Sequence, residues 1–132
     1  MKTKFLAIIL TIGLFVTGCS GSESNAMKLD VGGFAAKIAE SDVVVLDVRT
    51  PMEFAEGHLE NAINIDFQSD SFEADISKLD RDTAYAVYCR SGNRSGQAVK
   101  VMAGLGFTNL YDLDGGVIDW VAAGQTIIKE GE

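Results

Sequence analysis

Val43 to Val48 (Val-Val-Val-Leu-Asp-Val) is a continuous apolar run broken only by Asp47. A strand with one face in water alternates apolar and polar residues. An unbroken run suits a strand covered on both faces, as in a parallel sheet. Ala84 to Tyr88 (Ala-Tyr-Ala-Val-Tyr) has the same character, with residues that favour a buried strand. Helical signals lie around these runs. Asp30 is a plausible N-cap for Val31, Phe34, Ala35 and Ile38 on one face, although Gly32 and Gly33 weaken the first turn. Thr50-Pro51-Met52-Glu53 has the form of a capping box with proline at the first helical position, and that helix ends near Gly57. Ala62 to Ile65 reads as a short strand. Asp70 and Glu73 are expected to cap a helix carrying Phe72, Ile76 and Leu79. Thr108 to Leu113 is the last strand, Asp114-Gly115-Gly116 a turn, and Val117, Trp120 and Val121 belong to a closing helix. Strands alternating with helices define an α/β domain with a mainly parallel sheet, whose sites form at the carboxyl ends of strands.

One such end carries Cys89-Arg90-Ser91-Gly92-Asn93-Arg94-Ser95. After it Ala98, Val99, Met102 and Leu105 recur at helical spacing, so a helix opens near Ser95. A cysteine at a strand end, followed by a tight polar loop and a helix N-terminus, is placed where unpaired N–H groups and the positive helix end stabilise a thiolate. Gly92 lets the loop turn back so that successive N–H groups converge. Free cysteines are often buried and inert. An inert core cysteine, however, needs no arginine pair, serine pair and glycine within six positions.

The chain carries 19 acidic against 11 basic side chains, a net charge of -8. That balance argues against nucleic-acid partners and against a membrane-binding patch, and makes Arg90 and Arg94 a local attractor for anions. With 132 residues the chain is long enough for one domain with a modest core. Its start reads as an export signal: Lys2 and Lys4 precede an apolar or neutral run from Phe5 to Val16, shorter than the roughly 20 residues that span a bilayer. Val16-Thr17-Gly18-Cys19 resembles the lipobox of bacterial lipoproteins, which implies cleavage before Cys19 and its lipidation. A plain secretory signal or a short uncleaved anchor is the alternative. The expected organisation is a signal over 1–18, a small polar tether over 19–27 and a domain over 28–132. Cys19 and Cys89 are the only cysteines, so acylation of Cys19 leaves Cys89 unpaired, a candidate reactive thiol in an exported, membrane-anchored protein.

Three blocks carry a family resemblance. Leu46-Asp47-Val48-Arg49-Thr50-Pro51-Met52-Glu53-Phe54 with Gly57-His58-Leu59 and Ala62-Ile63-Asn64-Ile65 resembles the first half of a single-domain rhodanese. Tyr88 to Ser95 resembles that family's active-site loop, and Leu113-Asp114-Gly115-Gly116 with Trp120 its C-terminal signature. The resemblance covers about residues 28–124. It implies a central parallel sheet of about five strands with helices on both faces, and sulfur transfer through a cysteine persulfide. The donor would be a small anion such as thiosulfate, and the acceptor cyanide or a thiol, including one on a protein. Carried over by position, Cys89 is the sulfur carrier. Arg90, Ser91, Gly92, Asn93, Arg94 and Ser95 form the substrate-binding loop, with Arg90 and Arg94 meeting the anionic donor. His58, the single histidine, belongs to a structural Gly-His turn in the family, and Asp47, Arg49 and Glu53 are expected to form a polar network at the strand end. No metal-ligand spacing and no glycine-rich nucleotide loop occurs, so no metal or cofactor is implied.

Two other functions fit parts of the pattern. Phosphatases and arsenate reductases of related fold cradle an oxyanion in a Cys…Arg loop with five intervening residues. Here four residues separate Cys89 from Arg94, which suits a sulfur atom better. The other is a non-catalytic module that relays sulfur received from a partner.

Overall fold

The computed structural model describes residues 26–131. The signal over 1–18, Cys19 and the first part of the tether lie outside the described residues. Ten elements follow in order: β1 (Ala26–Leu29), α1 (Val31–Ile38), β2 (Val43–Asp47), α2 (Pro51–Glu56), β3 (Ile63–Asn64), α3 (Phe72–Ile76), β4 (Ala84–Tyr88), α4 (Asn93–Gly104), β5 (Leu110–Leu113) and α5 (Gly116–Ala122). The strands form one sheet in the order β1-β5-β4-β2-β3, with every pairing parallel.

Both faces of the sheet are covered, as the two unbroken apolar runs require. Along β4 the side chains alternate between two cores. Tyr85 and Val87 join Leu46, Phe72, Ile76, Ala98, Val99 and Met102 under α3 and α4. Ala86 and Tyr88 join Phe34, Val45, Leu59, Leu113 and Trp120 under α1 and α5. Each fully buried side chain of this size contributes about 1.5–3 kcal/mol, so the central strand is held from both sides and its carboxyl end is a fixed platform.

The capping box forms as read: the Thr50 hydroxyl accepts from the Glu53 N–H, while the Glu53 carboxylate accepts from the Thr50 N–H. Asp30 caps α1 through the Gly33 N–H. Several boundaries differ from the sequence expectation: β3 and β5 are shorter, at Ile63–Asn64 and Leu110–Leu113, and α3 ends at Ile76, which leaves Leu79 beyond it. β1 starts at Ala26, inside the stretch read as tether, because an exposed edge strand has no apolar run to announce it. Its Met27 and Lys28 are exposed, and it is set by pairing with β5 from Ala26↔Leu110 to Leu29↔Leu113. Asp70 does not cap α3; Ser71 holds that position without a side-chain cap, and its hydroxyl instead donates to Asp75. α4 opens at Asn93 rather than near Ser95, bringing its N-terminus two residues closer to the cysteine.

Candidate active site

Cys89 follows the last residue of β4 and is 1% exposed. The next three residues turn sharply, and Gly92 adopts a left-handed conformation (φ 98°) that suits glycine. The turn brings the Gly92 N–H to 3.0 Å from the Cys89 Sγ, which accepts it. The Gly92 carbonyl faces the other way and accepts from Gly96 N–H (3.1 Å) and from the buried Ser95 hydroxyl (3.3 Å).

The remaining loop carbonyls are held by α5. Val117 N–H donates to the Cys89 carbonyl (2.9 Å) and Ile118 N–H to the Arg90 carbonyl (3.1 Å). The first turn of α5 thus ties down two carbonyls of the loop, while the Gly92 N–H meets the sulfur. Gly116, at φ 61°, makes the approach feasible: a Cβ there would stand 2.6 Å from the Cys89 carbonyl oxygen and collide with the Arg90 carbonyl. The sequence reading took Gly115-Gly116 as a turn; its packing against a loop 26 residues earlier is a tertiary fact.

The arginines separate into two environments. Arg94 forms a bidentate pair with Glu53 on α2, Nη1 and Nη2 each 2.8 Å from a carboxylate oxygen. Arg90 is exposed and makes no ion pair among the described residues. Ser91 and Asn93 are also exposed, and the Asn93 side chain accepts from Gln97 (2.6 Å). The polar network at the end of β2 resolves into the Glu53–Arg94 pair and a buried Asp47–Arg49 pair, whose Arg49 Nη2 also donates to the Gly57 carbonyl (2.6 Å). Removing one partner of such a buried pair costs about 3–5 kcal/mol. Burial, with Asp47 adding to it, pushes the Tyr88 phenol well above its ordinary range, and its hydroxyl accepts from the Leu59 N–H (3.0 Å). His58 stacks on Phe54 with ring centroids 3.9 Å apart. Its Nδ1 lies 3.0 Å from the Phe54 carbonyl, and its backbone pairs with Ile128. These are structural contacts.

Arg94, and after it the Thr50 N–H and hydroxyl, hold the Glu53 carboxyl at about 2, below its ordinary 4.5. A carboxyl depressed in the folded state stabilises the fold above the unfolded value and loses that contribution as pH falls toward the folded one. Urea denaturation of wild type and Glu53→Gln should therefore show a wild-type advantage that is full above pH 4.5 and shrinks steadily toward pH 2. A pH-independent difference would reject the pairing.

Beside the loop a groove of about 350 Å³ runs between α2 and α5, lined by Arg49, Glu53, Arg90, Val117, Ile118 and Val121. Arg90 stands at this groove, exposed beside the cysteine loop.

A parallel α/β domain whose central strand ends in a buried cysteine, with a backbone N–H on its sulfur and two arginines in the residues that follow, defines a cysteine-loop domain. The chain belongs to the rhodanese-like domain family, whose sequence profile matches residues 30–123. It is 36% identical over 97 residues to a thiosulfate sulfurtransferase of Ectopseudomonas mendocina, covering 74% of this chain and 87% of that protein. It is 34% identical over 96 residues to the thiosulfate:glutathione sulfurtransferase of Saccharomyces cerevisiae, covering 64% and 69%. A tRNA uridine(34) hydroxylase of Ehrlichia chaffeensis is 33% identical over 94 residues, 67% of this chain but 34% of that protein. Among solved structures, a rhodanese-related protein from Thermoplasma volcanium superposes with a TM-score of 0.70 at 32% identity, covering 79% of this chain and 99% of that one.

Proposed function

We propose that this protein is a sulfurtransferase that moves sulfane sulfur from an anionic donor such as thiosulfate to a thiol or cyanide through a persulfide on Cys89. The observation that carries the reading is the Gly92 N–H held on the sulfur of a buried cysteine at the end of the central strand. In the first step the Cys89 thiolate attacks the outer sulfur of thiosulfate. A Cys89 S–S bond forms, the donor's S–S bond breaks, and sulfite leaves with the electron pair. In the second step an acceptor thiolate or cyanide takes the outer sulfur and returns the electron pair to Cys89. Neither step needs a general base once the thiolate is present, and the loop N–H is placed to donate to the sulfur. No cofactor enters either step.

The alternative phosphatase chemistry needs an arginine free to cradle phosphate, and Arg94 is already bound at both nitrogens to Glu53. Intact mass of the purified protein with and without thiosulfate tests the proposal. One added sulfur, confined to Cys89 and removed by cyanide as thiocyanate, is the expected result. Hydrolysis of a phosphate ester with no added sulfur would overturn it. Transfer from a persulfidated partner, with thiosulfate inert, would point to the relay.

Among the described residues, Arg90 is the loop arginine without an ion pair. Arg90→Ala should raise KM for thiosulfate roughly two- to fivefold, as expected for one exposed charge, with kcat nearly unchanged. The difference from wild type should vanish as salt screens the attraction; a salt-independent defect would reject steering.

The proposal extends to location: an exported domain held at a membrane by acyl groups on Cys19, since stable anchoring takes more than one chain. Cys19→Ala should release the protein from the membrane fraction with its in vitro transfer rate intact. An intact Met1 on the mature protein would sink this part.

A further inference from the structure

A second pocket of about 470 Å³ lies between α4 and β1, lined by Lys28, Lys100, Asn93, Gln97 and Asp112 among others. Asn93, Gln97 and Lys100 share one face of α4, and Arg94 points from another, so this pocket is distinct from the groove beside Arg90. Its floor is Asp112, 2% exposed, whose Oδ1 has no hydrogen-bond partner among the described residues. Leaving a buried polar atom unpaired is costly and rare, and Asp112 lines a space large enough for a small molecule. Gly96 helps keep that space open: a Cβ there would lie 3.6 Å from the Asp112 Oδ2.

The charges around Asp112 narrow the occupant. Lys28 is its register partner across the β1–β5 pairing. Lys28 and Lys100 are both exposed, and neither makes an ion pair among the described residues. A simple anion would use the lysines but leave Asp112 unpaired, facing a like charge once ionised. A simple cation would answer Asp112 but meet two ammonium groups. We propose that the pocket binds a small zwitterion, an α-amino acid or short peptide, with its carboxylate at Lys28 and Lys100 and its ammonium on the Asp112 carboxylate.

Two features support this assignment. Burial raises the Asp112 pKa, moderated by the Ser95 hydroxyl and Lys28 and reinforced by Asp114. A bound ammonium would oppose that burial effect by favouring the ionised carboxylate. Gly92 also borders the pocket while donating its N–H to the Cys89 sulfur, so an occupant rests against the back of the sulfur loop.

The test is amide NMR and calorimetry on the whole domain with glycylglycine, its N-acetyl form and its C-terminal amide, none of which carries sulfur. Glycylglycine should shift the amides of Gln97, Lys100 and Asp112, and each blocked form should bind at least about tenfold more weakly, the loss of one charged contact. Calorimetry should also show glycylglycine binding at least about tenfold more weakly to Asp112→Asn, the loss of one charged contact. The exposed double variant Lys28→Gln/Lys100→Gln, with little effect on folding, should weaken glycylglycine by a similar factor while leaving thiosulfate turnover unchanged. Equal binding of the N-acetyl form, undiminished binding by the double lysine variant, or no response to glycylglycine at these amides would each overturn the proposal.

Discussion

Cys89→Ser is expected to abolish thiosulfate-dependent thiocyanate formation and the added sulfur in intact mass, while the circular dichroism spectrum and unfolding midpoint change little. The substitution is nearly isosteric, and the Gly92 N–H that meets the sulfur at 3.0 Å can meet a hydroxyl instead. The chemistry does not survive: a hydroxyl ionises far less readily than a thiol, and oxygen carries no sulfane sulfur. The expected loss is complete rather than fractional, because in the proposed cycle the cysteine carries the transferred atom and is not an accelerant. His58→Ala should retain turnover if the domain folds, since its ring is occupied by Phe54. Thiocyanate formation that persists undiminished in Cys89→Ser would rule out the persulfide cycle.

The second large effect is expected from Gly116→Ala, a change of one methyl group 27 residues from the cysteine. The left-handed backbone alone costs an alanine about 1–2 kcal/mol. The collision with the Arg90 carbonyl, and a 2.6 Å approach to the Cys89 carbonyl, must be relieved by moving the start of α5 or the loop itself. Forced overpacking adds about 1–3 kcal/mol. We expect a loss of roughly 2–5 kcal/mol in unfolding free energy from these two contributions together. The folded fraction should transfer sulfur more slowly, because Val117 and Ile118 no longer hold the loop carbonyls. Gly124→Ala is the control. It too sits at positive φ (82°), but nothing lies within 4 Å of its added Cβ, so it should show the backbone cost without the loss of turnover. Equal turnover per folded molecule in Gly116→Ala and wild type would show that the α5 clamp is not part of the site.

Much of this architecture was written in local patterns. Two unbroken apolar runs demanded a sheet covered on both faces, and β2 and β4 lie side by side at its centre. The Thr50–Glu53 capping box, the Asp30 cap and the glycine turn after Cys89 all formed as their residues dictated, because each depends on neighbours within a few positions. The edge strand β1 was not legible, since its exposed Met27 and Lys28 carry no periodic signal and its conformation comes from pairing with β5.

The sequence by itself determined where the candidate sulfur carrier stands: a cysteine at a strand end, a glycine that turns the loop back, and a helix opening behind it. Its nearest partner, the Gly92 N–H, lies within three residues, and local chain geometry suffices to place it. Only the tertiary structure decided which cation is free. Arg90 and Arg94 are equivalent in the sequence, but folding brings α2 against α4 and gives Arg94 to Glu53, 41 residues away, leaving Arg90 in the groove. The same holds for Asp112. A lone aspartate inside an apolar strand was visible in Leu110-Tyr111-Asp112-Leu113, much as Asp47 was in its own run. Asp47 found Arg49 two residues on, whereas Asp112 has an oxygen with no partner among the described residues and lines a pocket with two lysines from other elements. Charge pairing acts through space over a few ångströms, and the distances that set it exist only after the chain has packed.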